Sequence, residues 1–346
     1  MSHFTLTVRL SAERLRQHDD DIESALEEIL APYNEQTEDR KFQEFQDNED
    51  EYLDEYENKS TKKIKGPRGH LYWPWDDKFR VKGSFGTGSG THDYKQLAGY
   101  TEVEVPFKKL YATFDEFCSQ YHSSERDAEK GRHGYWRNPN AKWDWWVIGG
   151  RWSGHYPLKS TAPRRLGEPG AFNNAPTPDH GDIVRISDLD TDIIATQTRE
   201  NAEKFYEEYV KLLAGEKFDA FDGPRSRAMS LGLLRVEQKP VEAGPGEVAM
   251  SWRDSVRADD KRADWTDVAK VIDRETFLRD YTDCFNPILT YAALDEEGWH
   301  APGEMGWFGC SSDTPEAYLQ FKNEFVRRFI KTAAADDVLV CVDCHI

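Results

Sequence analysis

Five tryptophans, an arginine and a glycine pair fall within the eighteen residues from Tyr135 to Trp152. Indole rings stack on nucleobases at about 1–3 kcal/mol per base. A guanidinium fork matches phosphate and carboxylate. If Lys142 to Ile148 is a strand, alternation places Trp143, Trp145 and Val147 on one face and Asp144, Trp146 and Ile148 on the other. Both faces are then largely apolar, as in a central strand. Gly149 and Gly150 let the backbone turn sharply or approach a ligand, and Arg151 follows between them and Trp152. Asn140, Trp143, Trp145, Gly149, Gly150, Arg151 and Trp152 are therefore the candidate ligand-binding residues. The competing account is a tryptophan-rich core with a β-bulge and an ion pair between Arg151 and Asp144.

Trp299, His300 and the run from Gly303 to Gly309 form a second aromatic and glycine-rich loop, which adds Trp307 to the ligand-binding set. His300 and Glu304 can serve as an acid–base pair if they converge near Arg151, and His345 is a third catalytic candidate. Gly83 to His92 has the look of a phosphate cradle, but it lacks the Gly-Lys-Ser/Thr ending of a P-loop and the spacing of a dinucleotide fingerprint, so a loop between strands is favoured. Cys341, Cys344 and His345 match a haem-attachment pattern only formally. In a strand Cys341 and His345 face one way and Cys344 the other. Asp188 to Asp192 opens like a calcium loop, yet Ile193 stands where glycine is required. No reaction, metal or cofactor is specified by these patterns.

The elements that must position these residues begin with Phe4, Leu6, Val8 and Leu10, whose alternation predicts a strand. Ile22, Ala25, Leu26, Ile29 and Leu30 follow at helical spacing behind the caps Asp19 to Asp21. Near the other end Ile288 to Leu294 reads as a strand, Thr314-Pro315-Glu316 as a helix start, and Val338 to Ile346 as a last strand. Two strand–helix units sharing one sheet, with helices on one face, give an α+β, ferredoxin-like architecture. A β-rich centre runs from about Leu71 to Tyr156. The stretch from about 185 to 284 reads as a mostly helical insertion, and the whole of 1–346 as a single compact domain.

The chain has 346 residues, 38% of them hydrophobic, which is enough for a large core. With 45 basic and 64 acidic residues its net charge is −19, which repels phosphate backbones and disfavours nucleic-acid binding in general, duplex nucleic acid included. The excess gathers in a charged surface segment at 35–68, where eleven carboxylates from Glu35 to Glu57 precede five bases from Lys59 to Arg68. A solvated helix face is the simple account, and docking on a basic host protein is the alternative. Five scattered cysteines, no leader pattern and no membrane-length apolar run give the expectation of a cytoplasmic protein with reduced thiols.

Met1 to Thr5, Glu55 to Asn58, the Asn138 to Trp152 segment, Gly303 to Trp307 and Val342 to Ile346 together resemble a family of bacteriophage and bacterial proteins with no assigned activity. The resemblance spans nearly the whole chain. It implies an accessory role, of the kind phages use against host defence, and it carries over no catalytic residue. The resulting expectation is a binding protein for a small phosphorylated or nucleotide-derived molecule, held by the Trp, Arg and Gly residues above. The alternatives are an acidic inhibitor of a host protein and a hydrolase using His300, Glu304 or His345.

Overall fold

The opening alternation becomes a strand, β1 (His3–Leu10), with Leu6, Val8 and Leu10 fully buried. The computed structural model describes residues 2–81, 91–169, 175–218, 223–252, 265–305 and 311–346. They divide into two units, residues 1–36 with 140–346 and residues 37–139, where the sequence suggested one domain.

In the larger unit β1 leads into helices α1 (Ala12–Gln17) and α2 (Ile22–Leu30). Ser11 caps the first by accepting from the Arg14 N–H, and Asp21 caps the second by accepting from those of Glu23 and Ser24. Strands β2 (Trp145–Gly150), β3 (Glu168–Pro169), β4 (Ile183–Arg185), β5 (Ala292–Asp295) and β6 (Gly298–His300) follow. Thr314 caps helix α3 (Pro315–Phe325), and β7 (Val338–His345) comes last. The sheet is mixed, in the order β3-β2-β7-β1-β5-β6, with β4 also paired to β7. β1 and β7 lie antiparallel from His3 opposite His345 to Leu10 opposite Val338, so the first and last strands are neighbours, as their shared pattern implied. β1 runs parallel to β5.

All eight residues of β7 are buried because both of its faces are covered. Val338, Val340, Val342 and Cys344 pack with β1 and α2. Leu339 and Cys341 pack with Tyr156 and with Phe321 and Phe325 of α3. The two strand–helix units thus place their helices on opposite faces, whereas one face was expected. The architecture is mixed α+β around a multi-strand sheet.

The stretch 185–284 contains the helices Thr191–Leu213, Pro224–Ser230 and Arg274–Tyr281, together with strands that its sequence did not suggest. Helix Thr191–Leu213 is followed by a three-stranded antiparallel sheet of Leu234–Glu237, Thr266–Lys270 and Glu247–Ser251. Its buried Asp267 holds Arg225 through two bonds of 2.7 and 2.9 Å, and a strand rich in Thr, Asp and Ala conceals its apolar period.

In the smaller unit, two three-stranded antiparallel sheets accompany helices Glu49–Asn58 and Phe114–Tyr121 around Tyr56, Phe107, Tyr111 and Phe117. Within 35–68 only Glu49–Asn58 forms a long helix, with Tyr52 and Tyr56 buried and its carboxylates outward. Several are paired at the surface: Asp47 and Asp50 with Arg132, Glu55 with His122, Glu57 with Lys108.

Candidate functional site

The glycine pair sits at the end of β2, beside two buried carboxylates. Gly149 has φ +77° and Gly150 φ +53°, values that disfavour any side chain. A Cβ on Gly149 would collide with the Asp182 carboxylate, and one on Gly150 with Asp343. What approaches this backbone closely is therefore the protein's own acid groups. Asp182 accepts from Ser153 Oγ at 2.7 Å and from the Gly154 and Gly167 N–H groups. Asp343 Oδ2 accepts from the Arg151 N–H at 2.9 Å. Both carboxylates are almost completely buried, so these bonds offset a large desolvation cost.

Asp343 also builds outward. Its Oδ1 accepts from His3 Nδ1 at 2.7 Å, and Asp144 Oδ1 accepts from His345 Nδ1 at 2.6 Å. A carboxylate accepts, so in each pair the histidine Nδ1 is the donor. The two imidazoles are register partners on β1 and β7, with ring centres 4.8 Å apart. Trp145 stacks on His345 at 5.2 Å and 15° and is 45% exposed. The structure thus gathers Trp145, His345 and, through Asp343, the turn bearing Gly149, Gly150 and Arg151. His3 was missed, because a histidine at the start of an alternating strand gives no sign of its partner at the far end of the chain.

Other candidates lie elsewhere. Trp143 is buried in the α2 core, and Trp152 is half-buried against the α3 side. Asp144 is held by His345 and not by an ion pair with Arg151. His300 Nε2 donates to Asp295 Oδ1 at 3.1 Å and does not pair with Glu304. Asp295 also accepts from Arg9 and Arg328. Burial works to raise its pKa, but the hydrogen bonds from His300 and Arg328 hold it well below the usual carboxylate range. Cys341 and Cys344 point to opposite faces, and burial raises both thiols well above their ordinary value. Gly83 to Gly90 and Trp307 lie outside the described residues. Among the described residues there is no group of three or more His, Cys, Asp or Glu side chains fit to hold a metal.

Glu304 and Asn140 belong to a different feature. A cleft of about 590 Å³ opens beside the strand ends, lined by Phe4, Lys142, Asp144, Tyr291, Trp299 and Glu304 among others. A shallower recess of about 480 Å³ shares Lys142, Trp299 and Glu304 with it and adds Asn140. Its floor is aromatic: Phe4 meets Tyr291 at 5.6 Å and Trp299 at 6.1 Å, and Tyr33 meets Trp299 at 5.1 Å. Glu35, Asp144 and Glu304 supply acceptors on the rim, and Lys142 is engaged by Glu304 at 2.6 Å. Asp144 is the residue common to the cleft and the histidine pair.

Comparison of the chain with protein-family models, with curated proteins and with solved structures gives no match. No helix among the described residues is long and apolar enough to cross a membrane.

Proposed function

We propose that the protein binds a small nucleobase-bearing molecule in the cleft between Phe4, Trp299 and Glu304. The observation that carries this reading is an aromatic floor beneath a rim with three carboxylates and one already paired lysine. A planar ring stacks on such a floor, and exocyclic amino groups donate to such a rim. A phosphate gains little there, so the phosphorylated part of the expected ligand class loses support. The frame is a two-sided relative of the ferredoxin-like arrangement, and the pairing of β1 with β7 supports that description. Resemblance to phage-borne proteins supports an accessory role, in which sequestration of a host metabolite requires no catalytic group. Titration of the full chain with adenosine, followed by tryptophan fluorescence, tests the reading. Saturable quenching that weakens about tenfold in Glu304→Gln supports it, and no quenching by adenosine or cytidine rejects it.

The twin His–Asp pairs favour a second reading, a hydrolase. In it one Nε2 takes a proton from water and the other imidazole, protonated, gives one to the leaving group. Turnover of bis(p-nitrophenyl) phosphate that disappears in both His3→Gln and His345→Gln supports this. Equal turnover in the variants excludes it.

A further inference from the structure

The smaller unit carries a feature that the cleft does not use. Tyr121, Trp73 and Trp75 form a continuous stack: Trp73 lies 5.8 Å and 22° from Tyr121, and 4.8 Å and 12° from Trp75. Tyr121 belongs to the aromatic core of this unit, so the stack starts from a rigid base. It ends in Trp75, which is 60% exposed. An indole left this open retains apolar area that a further ring would cover.

The surroundings are basic although the chain is acidic. From Lys59 to Leu110 there are eleven Lys and Arg against five Asp and Glu, a local charge of +6 in a chain of −19. Strand Ser60–Lys65 places Lys63 and Lys65 on the same face. The Lys63 ammonium sits 3.2 Å from the centre of the Trp73 ring, so this face is the one carrying the stack. Lys65, Arg68 and Lys109 are exposed and have no ion pair among the described residues. A stacking platform set in unneutralised positive charge is the chemistry of single-strand recognition. Bases stack on the rings without sequence preference, and phosphates meet the lysines. A duplex cannot use it, because its bases are already stacked on one another.

We propose that the Trp73–Trp75 platform of the 37–139 unit binds single-stranded nucleic acid, with Trp75 stacking a base and Lys65 and Arg68 meeting the backbone. The test is fluorescence anisotropy of a labelled twelve-nucleotide oligothymidine with the full chain, in 50 and 200 mM salt. The expected result is binding that weakens at least tenfold at the higher salt and at least fivefold in Trp75→Ala. Combining Lys65→Gln with Arg68→Gln should flatten the salt dependence. Trp75→Phe, which keeps a ring, should retain most of the affinity and controls for folding. No binding at 50 mM salt overturns the proposal. So does binding that Trp75→Ala leaves unchanged, and so does equally tight binding of polyglutamate, which would mark the surface as a site for acidic peptides.

Discussion

The turn at Gly149 to Arg151 and the cleft at Trp299 both contain carboxylates, glycines and rings, but they use them in opposite ways. At the turn the glycines admit the buried groups of Asp182 and Asp343, and every acceptor there is engaged by backbone or side-chain donors. At the cleft the carboxylates stand at the rim of an open volume above rings that meet edge-on or tilted. The Gly149 to Arg151 end of the dense run is therefore scaffold, while the proposed cleft takes Lys142 and Asp144 from the same run and Phe4, Tyr291, Trp299 and Glu304 from distant parts of the chain.

If that contrast is right, substitutions at the two places separate stability from binding. The largest effect is expected for Gly150→Ala. The new methyl meets Asp343 at a positive φ, so the change should cost about 3 kcal/mol or more and lower the thermal midpoint steeply. An unchanged midpoint would break the account of the turn. Asp295→Asn comes next. It leaves Arg9 and Arg328 with a weaker partner inside the protein, at a cost of about 3 kcal/mol at pH 7. Since the folded-state pKa of Asp295 is depressed, its contribution is present above the unfolded value of about 3.9 and lost as pH falls through the folded value. The gap between parent and variant should therefore narrow on acidification below about pH 4, and a gap constant with pH would contradict the ionic role. The smallest effect is expected for Lys142→Met. Its pair with the exposed Glu304 is worth about 0.5 kcal/mol or less in stability, so denaturant midpoints should barely move while adenosine affinity changes.

Much of the frame was legible in the sequence. Alternation at Phe4 to Leu10 and the apolar run Val338 to Val342 marked two strands, and the caps at Asp21 and Thr314 marked two helix starts. Helices on both faces were harder to foresee. That fact lies in the second apolar set of β7, Leu339 and Cys341, which reads equally well as a plain buried run. The sheet at 234–270 was hidden because Asp267 breaks the apolar pattern, and tertiary pairing with Arg225 is what makes a carboxylate tolerable there. At the site, Trp145, His345 and Arg151 were recognised as unusual, but their grouping depends on Asp343 and His3, 340 residues apart in the chain. The cleft was least legible. Tyr291, Trp299 and Phe4 are ordinary aromatic residues until the fold brings them together.

The central claim, that the cleft and not the Arg151 turn is the binding surface, is tested most directly by isothermal titration of adenosine into the parent, Glu304→Gln and Arg151→Lys, each paired with a melting curve. Glu304→Gln should weaken binding about tenfold with an unchanged melting temperature, since it removes a charged acceptor at an exposed position. Arg151→Lys should leave the affinity as it was, since the turn is held through the Arg151 backbone N–H, which the variant keeps. The reverse pattern, with binding lost in Arg151→Lys and kept in Glu304→Gln, would contradict the account.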